Sequence, residues 1–218
     1  MMQLGQAVRA VNGRPSRSLT GSEAVSGVST DTRTIRPGDL FFALRGANFD
    51  AVSFVAQAFE KGAAAAVADR DVEASGLVIR VDDTLQALGD LAAAWRMALP
   101  ARVVGVAGSN GKTTTKEMIA HILGQDRRVV KAHGSFNNSV GVPVTIFQAD
   151  ERTDVAVLEI GTNHPGEIAR LGAIARPDIA VLVSIGAEHL EGLGSLDGVA
   201  DEETSLLDYL RGGGYAVV

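Results

Sequence analysis

The stretch that decides the fold of the second half of the chain is Gly105-Val106-Ala107-Gly108-Ser109-Asn110-Gly111-Lys112-Thr113-Thr114-Thr115. An apolar run over 102–104 precedes it, and a helical pattern follows from Lys116. This order of strand, glycine-rich turn, Gly-Lys-Thr and helix is typical of a phosphate-binding loop. The generic pattern has Gly where this chain has Val106, so the spacing is a variant. The flanking strand and helix favour a phosphate-binding loop over an accidental glycine-rich turn.

The chemistry of such a loop predicts a nucleoside triphosphate, ATP or GTP, with Mg²⁺. Backbone N–H groups and the positive end of the helix bind phosphate oxygens. Lys112 is expected to reach the β- and γ-phosphates, and the Thr113 hydroxyl is expected to bind Mg²⁺. The residues predicted to contact the nucleotide are Gly108, Ser109, Asn110, Gly111, Lys112, Thr113 and Thr114.

Composition narrows the class of protein. The chain has 218 residues, 46% of them hydrophobic and 21% charged, as is ordinary for a globular protein. The net charge of -6 and the lack of a basic run argue against a nucleic-acid partner. No cysteine is present, which excludes disulfides and thiolate metal sites. The sequence shows no membrane-spanning stretch and no signal-peptide pattern, so we expect a cytoplasmic location without a membrane partner.

The first block, residues 1–98, reads as a small mixed α/β domain. Its predicted strands are 25–31, 39–44, 64–68 and 77–81, and its predicted helices are 54–61 and 83–99. In the first helix Val52, Val55, Ala56 and Phe59 share one face, and Gly62 ends it. Asp83 is expected to cap the second helix, which Pro100 then ends.

The second block, residues 101–218, alternates strands and helices. Strands are predicted at 102–107, 129–131, 154–160, 178–184 and 215–218, and helices at 113–124, 141–148, 166–173 and 196–210. The strands are apolar without polar alternation, which predicts a parallel sheet covered on both faces. The fold class is therefore α/β. The last four residues read as the start of a buried strand, so we expect this second domain to be incomplete.

Two charged residues follow predicted strands and are candidates for chemistry. Glu159 ends a long apolar run, and a carboxylate at that sheet edge suits Mg²⁺; the alternative is a solvent-facing strand end. His189 also falls at the carboxyl edge, where it could bind a second metal or a phosphate. Taken alone, a loop histidine is more often a surface residue.

Other polar segments leave two interpretations open. Asn137 and Asn138 precede Gly and Pro, which suits either a turn or helix cap or amide contact with a polar substrate. The segment 163–167 reads as a helix start, with Asn163 as its cap and Pro165 in its first turn. In the first block, 29–33 and 44–50 most resemble a ligand site, and ordinary turns are the alternative.

Taken together, these motifs resemble the Mur ligase family over the whole chain. Within the family they are most similar to the branch that adds D-alanyl-D-alanine. The segments that carry the resemblance are 29–33, 37–44, 105–115, Asn137-Asn138-Ser139-Val140-Gly141-Val142-Pro143, 159–168 and His189-Leu190-Glu191-Gly192-Leu193-Gly194-Ser195.

The resemblance implies a three-domain enzyme of peptidoglycan precursor synthesis. Residues 1–98 would bind the UDP end of the substrate, and residues 101–218 would be the first part of a central ATPase domain. ATP would phosphorylate the free carboxylate of UDP-N-acetylmuramoyl-tripeptide, and the amine of D-alanyl-D-alanine would attack the acyl phosphate. The enzyme is expected to be a monomer that uses ATP and Mg²⁺.

The resemblance also implies roles for residues. Lys112, Glu159 and His189 would be catalytic, and Thr113, Glu159 and His189 would bind metal. The substrate would contact Ser29, Asp31, Arg33, Gly46, Asn137 and Asn138.

One departure from the family pattern is Glu203. The family usually has a Lys here, carbamylated in several members to form a metal-binding carboxylate. Glu203 supplies the carboxylate directly, or else the second metal site is impaired and the protein is a divergent paralogue that binds nucleotide or UDP-sugar without turnover. A ligase of the branch that adds a single amino acid, or one like folylpolyglutamate synthase, is a further alternative.

Overall fold

The computed structural model describes residues 2–46 and 49–218. The chain forms two compact units, one ending at Leu91 and the other beginning at Ala92. The division falls inside a helix, Thr84–Ala98, whereas the sequence suggested a boundary at residues 99–100. Both units are mixed α/β, and the predicted fold class is confirmed.

The first unit contains nine short strands and two complete helices among its described residues, and the third helix begins within it. In chain order these are β1 Met2–Gln3, α1 Leu4–Ala10, β2 Arg14–Pro15, β3 Ala24–Val25, β4 Gly27–Ser29, β5 Asp39–Phe42, β6 Arg45–Gly46, β7 Phe49–Asp50, a 3₁₀ turn Ala51–Phe54, α2 Val55–Glu60, β8 Ala65–Ala68, β9 Leu77–Arg80 and α3 Thr84–Ala98.

The main sheet of this unit has the order β2-β9-β8-β5-β4. Its last four strands are parallel, and β2 runs antiparallel to β9. Because β4 and β5 are parallel neighbours, the loops that follow them leave the same edge of the sheet. That edge carries the segments after Ser29 and Phe42.

The start of α3 shows why Asp83 was a good predictor of a helix. Its Oδ1 accepts hydrogen bonds from the backbone N–H groups of Leu85 at 2.7 Å and Gln86 at 2.9 Å. These two amides have no partner within the helix, so the carboxylate satisfies them.

Replacing Asp83 by Ala removes this cap. We expect Asp83→Ala to lower the free energy of unfolding by about 1 kcal/mol, measured by urea titration. Asp83→Asn keeps an acceptor oxygen and is expected to lose less than half as much. Equal losses in the two variants would show that the cap is not the source of the effect.

The second unit contains five strands and five helices, not counting α3, with one 3₁₀ turn. They are β10 Arg102–Ala107, α4 Lys112–Leu123, β11 Val129–Lys131, α5 Gly141–Ile146, β12 Val155–Glu159, α6 Glu167–Ala175, β13 Ile179–Leu182, α7 Leu190–Leu193, α8 Leu196–Thr204, the 3₁₀ turn Ser205–Tyr209 and β14 Tyr215–Val217.

All five strands of this unit form one parallel sheet with the order β11-β12-β10-β13-β14. Alternate residues of β10 enter opposite layers. Val103 and Ala107 pack with α5 and α6, and Val104 and Val106 pack with Ala120 of α4. The predicted parallel sheet, covered on both faces, is confirmed. The carboxyl ends of β10, β12 and β13 lie side by side.

Several local predictions are wrong. The strand predicted at 25–31 is two strands, because Ser26 pairs with the turn before β5: its N–H donates to Gly38 O at 2.9 Å and its hydroxyl to Pro37 O at 3.1 Å. On α2, Ala58 is buried and Ala56 is exposed, since the helix packs through positions 55, 58 and 59.

The last predicted helix, 196–210, also ends early. The Thr204 and Ser205 hydroxyls donate to carbonyl oxygens of the preceding turn, Ala200 O at 2.7 Å and Glu202 O at 2.6 Å. Such bonds compete with the helical pattern, and the chain continues as a 3₁₀ turn. The strand at 215–217 is exposed rather than buried, because in the described chain it pairs on one side only, with β13.

The helices of the described chain are all too short or too polar to cross a lipid bilayer.

Candidate active site

The predicted phosphate-binding loop joins β10 to α4 at the carboxyl edge of the parallel sheet. Gly108 has φ +122°, and a Cβ there would lie 2.8 Å from the carbonyl oxygen of Ser184. Gly111, with φ +85°, is the N-cap residue immediately before α4. Ser109 ties the loop to the segment after β13, since its hydroxyl and Gly186 N are 2.8 Å apart. Only glycine suits position 108, because both its φ and its contacts exclude a side chain.

Lys112 lies in the first turn of α4 with its ammonium folded over the loop. Nζ donates to Gly108 O at 2.5 Å and Ser109 O at 3.1 Å. A carboxylate oxygen of Glu188 lies 3.7 Å away. The ammonium therefore stands at the loop that a phosphate group would occupy.

Glu159 ends β12, next to β10, and is almost fully buried. The Thr113 hydroxyl donates to its Oε2 at 2.9 Å, and Asn137 Nδ2 donates to its Oε1 at 3.1 Å. The solvent-facing alternative for Glu159 is therefore wrong. Oxygen atoms from Thr113 and Glu159 form the kind of donor set that Mg²⁺ prefers.

Lys116 is a residue of this site that the sequence reasoning missed. Its side chain is completely buried, and Nζ lies 3.3 Å from Glu159 Oε2 and 2.5 Å from Gly134 O. One signal was available: Lys116 follows Lys112 by four positions, which places both on one face of α4. The ammonium neutralises the buried charge of Glu159.

The two asparagines occupy different places. Asn138 holds the backbone just before α5, because its Oδ1 accepts from Val140 N at 3.1 Å and Gly141 N at 2.9 Å. Asn137 packs against Gly161, where a Cβ would lie 2.6 Å from Asn137 Nδ2. The backbone after β11 and the backbone after β12 are therefore in close contact.

Four predicted segments converge on one cavity of about 100 Å³. Lys112, Asn137, Asn138 and His189 line it, together with Ser139, Gly161, Thr162, Asn163, Glu167 and Leu171. Its walls are mostly polar, and the Lys112 ammonium supplies a positive charge. Such a cavity suits a small anionic group next to the phosphate-binding loop.

His189 lies at the rim of this cavity. It is exposed, has φ +50°, and is the N-cap residue of the short helix α7. It also lines a wider open groove with Asn163, His164 and residues 187–192. The structure therefore places His189 where a ligand in either space would meet it.

Glu203 lies behind the phosphate-binding loop and is completely buried. Its Oε2 accepts from Gly108 N at 2.6 Å, and its Oε1 has no protein partner. Burial raises the pKa of Glu203 to about 7, while the Gly108 N–H and the Lys112 charge act in the opposite direction. The nearby Glu188 and Glu202 carboxylates also contribute to this raised pKa.

This raised pKa makes stability depend on pH. Between the usual pKa of 4.5 and the folded-state value of about 7, the unfolded chain releases a proton that the folded chain keeps. Stability is therefore lost as the pH rises through this window, by about 3 kcal/mol in total.

Glu203→Gln keeps an oxygen for Gly108 but does not titrate. We expect its free energy of unfolding, relative to the wild type, to rise by about 3 kcal/mol between pH 4.5 and pH 8. Trp95, the one tryptophan of the chain, reports unfolding of the second unit by its fluorescence. Glu191→Gln, at an exposed position, is the control and should show no such trend. If the free energy of unfolding of Glu203→Gln relative to the wild type did not change with pH, the raised pKa of Glu203 would be ruled out as the cause.

The four residues predicted to bind metal are not gathered into one ligand group. Thr113 and Glu159 are in contact, His189 is at the cavity rim, and Glu203 is behind the loop. Residues 2–46 and 49–218 contain no group of three or more His, Cys, Asp or Glu placed to hold a metal ion. The metal roles of these residues stay predictions.

The residues predicted to bind substrate in the first unit lie at the carboxyl edge of its sheet. Ser29 is buried, and its hydroxyl donates to Asp31 O at 2.9 Å. Arg33 forms a two-pronged pair with Asp31 and lowers the pKa of that carboxyl to about 2. Gly46 lies in the β6–β7 hairpin, whose residues Ala47 and Asn48 are outside the described part. The roles of these four residues stay predictions too.

Comparison with family models gives two matches. The Mur ligase middle domain model matches residues 106–218, and the Mur ligase family catalytic domain model matches residues 24–96. Together they include the whole candidate site and all strands of the two five-stranded sheets except β2 and the first part of β10.

Individual relatives agree with these models. The UDP-N-acetylmuramoyl-tripeptide–D-alanyl-D-alanine ligase of Bacillus subtilis is 46% identical over 196 residues, which are 88% of this chain and 43% of the relative. MurF from Acinetobacter baumannii superposes with a TM-score of 0.91 at 33% identity, over 99% of this chain and 48% of that one. MurF from Thermotoga maritima, solved with ADP, has a TM-score of 0.80 at 32% identity, over 89% and 45%. The chain spans about half the length of the relatives it matches.

Proposed function

This chain belongs to the Mur ligase family, and from that premise we propose that it carries the ATP-binding loop and acceptor site of a D-alanyl-D-alanine-adding ligase. The reaction joins D-alanyl-D-alanine to UDP-N-acetylmuramoyl-tripeptide in the cytoplasm. The observation that carries the proposal is the convergence of Lys112, Asn137, Asn138 and His189 on one polar cavity beside the phosphate-binding loop.

The fit of ATP rests on the loop itself. Glycines at positions 108 and 111 take positive φ, and α4 directs its free N–H groups toward the loop. The Lys112 ammonium lies over the loop, where it would neutralise phosphate charge. The ADP-bound Thermotoga maritima structure supports the same ligand class for this chain.

The fit of Mg²⁺ rests on Thr113 and Glu159, whose oxygen atoms are 2.9 Å apart. Bound there, Mg²⁺ would offset the negative charge of the phosphates. His189 and the free Oε1 of Glu203 are proposed as further ligands. Because Oε1 of Glu203 has no hydrogen-bond partner, this one oxygen would be free to bind a metal ion.

The protein groups then have separate tasks. The cavity would hold the terminal carboxylate of the tripeptide beside the γ-phosphate, with amide donors from the Asn137–Asn138 segment. Placing two anions together is the main barrier to forming an acyl phosphate, and Lys112 lowers it by charge neutralisation. The D-alanyl-D-alanine amine then attacks the acyl carbon and phosphate leaves. In the first unit, Ser29, Asp31, Arg33 and Gly46 are proposed to receive the UDP end.

The acceptor specificity decides between branches of the family. The full-length gene product is incubated with ATP, Mg²⁺ and UDP-N-acetylmuramoyl-tripeptide. D-alanyl-D-alanine and single amino acids, glutamate among them, are offered in turn as the acceptor amine. Mass spectrometry is expected to show a joined product only with D-alanyl-D-alanine. A product with a single amino acid instead would assign the chain to another branch.

One observation favours a second candidate function. Glu203 stands where the family usually has Lys, and its Oε2 is bound to the loop rather than free. A protein that binds ATP and the UDP-linked substrate without turnover would be consistent with that arrangement. Binding without any joined product would support this second function.

A further inference from the structure

The connection between β12 and α6 forms one wall of the cavity. Its residues Gly161, Thr162 and Asn163, with Glu167 from the first turn of α6, line the space next to Lys112. Gly166, with φ +85°, is the N-cap residue of the helix, so the predicted cap at Asn163 is wrong. The first N–H groups of a helix have no partner within it and need acceptors from elsewhere.

Two carboxylates accept from this backbone, Glu167 from the segment before the helix and Glu202 from the start of the helix. Glu167 folds back, and its Oε2 accepts from Asn163 N at 2.6 Å. Glu202 reaches in from α8, and its Oε2 accepts from Gly166 N at 2.7 Å while its Oε1 accepts from Ile168 N at 2.9 Å. The Thr162 hydroxyl lies 2.8 Å from His164 O and 3.2 Å from Glu202 Oε1. Glu202 is buried, so these bonds are shielded from water.

Glu203, the residue of α8 that follows Glu202, makes a similar hydrogen bond to a different loop. Glu203 accepts from Gly108 N in the phosphate-binding loop. Consecutive residues of a helix point about 100° apart, so two adjacent side chains reach two different loops. The helix α8 therefore fixes the phosphate-binding loop and the opposite cavity wall to one rigid element.

We propose that Glu202 is a positioning residue, which sets the cavity wall formed by residues 161–167 against the acceptor carboxylate. This rests on the proposed function. Glu202 acts through the backbone of Gly166 and Ile168 and through the Thr162 hydroxyl. It does not line the cavity itself, and its effect is on the UDP-linked substrate rather than on ATP.

The test is Glu202→Gln in the full-length gene product. An amide offers one acceptor oxygen where the carboxylate serves three donors, and its NH₂ group opposes an N–H. We expect the KM for UDP-N-acetylmuramoyl-tripeptide to rise about tenfold and the KM for ATP to change less than about twofold. Hydrogen exchange of the Gly166 and Ile168 amides should accelerate. Asp201→Asn, at the exposed preceding position, is the matched control and should change neither.

An unchanged KM for the tripeptide with faster exchange would overturn the proposal and leave Glu202 as a helix cap only. If Glu202→Gln does not fold, Thr162→Val is compared with Thr162→Ser, which keeps the hydroxyl. A higher KM in the Val variant alone supports the proposal, and equal values contradict it. If the wild type does not bind the tripeptide, the proposed function fails, and the exchange rates still decide whether Glu202 holds the wall.

Discussion

Lys112→Met is expected to reduce ATP-dependent turnover about 10³-fold, since removal of one preorganised charge donor typically costs 10²–10³ and Lys112 is proposed to neutralise two approaching anions. Methionine keeps the aliphatic stem, so the loop loses the ammonium and its bonds to Gly108 O and Ser109 O but little volume. Phosphate release by the full-length gene product measures the effect.

The matched control is Lys131→Met on β11, at an exposed position. It removes the same charge from the second unit and should leave turnover within about twofold. Trp95 fluorescence is used to check that both variants fold. Retention of a tenth or more of the wild-type turnover by Lys112→Met would contradict the role of this ammonium.

Glu159→Gln is expected to destabilise the second unit by about 3 kcal/mol. The side chains of Lys116 and Glu159 are 0% and 2% exposed, and their charges lie 3.3 Å apart. Removing one partner of a buried ion pair leaves an uncompensated charge, which costs about 3–5 kcal/mol. We expect the lower end of this range because a carboxylate oxygen of Glu117 lies 3.3 Å from the Lys116 ammonium and still compensates part of its charge.

The double variant Glu159→Gln with Lys116→Met, compared with each single variant, tests whether the broken ion pair causes this loss of stability. Because neither charge remains, the double variant should be more stable than Glu159→Gln alone. Urea titration followed by Trp95 fluorescence gives the comparison. A double variant whose loss equals the sum of the two single losses would show that the ion pair does not couple the two residues.

Local signals made the phosphate-binding loop and the parallel sheet predictable. The glycines, Lys112 and the apolar strands lie close in sequence, and each signal reports on a short stretch of backbone. The sheet edge then followed, since the carboxyl ends of parallel strands meet. Glu159 and His189 are far apart in sequence, but both follow predicted strands, and both are therefore expected at the carboxyl edge of the sheet.

The partners of the buried charges were not predictable in the same way. Lys116 reads as an ordinary helix residue until Glu159 and Gly134 are placed beside it. Glu202 likewise reads as a surface acid in a charged helix, yet it is buried against the start of α6. Pairing across distant segments depends on how helices pack on the sheet, and sequence periodicity does not contain that information.

We propose that this site couples ATP cleavage to amide formation. The direct measurement is ATP-dependent phosphate release by the full-length gene product, with UDP-N-acetylmuramoyl-tripeptide, with D-alanyl-D-alanine, and with both. Sustained release is expected only when both are present, and Lys112→Met should abolish it. Binding of ATP and of the UDP-linked substrate without release would contradict the claim and would favour a binding protein without turnover.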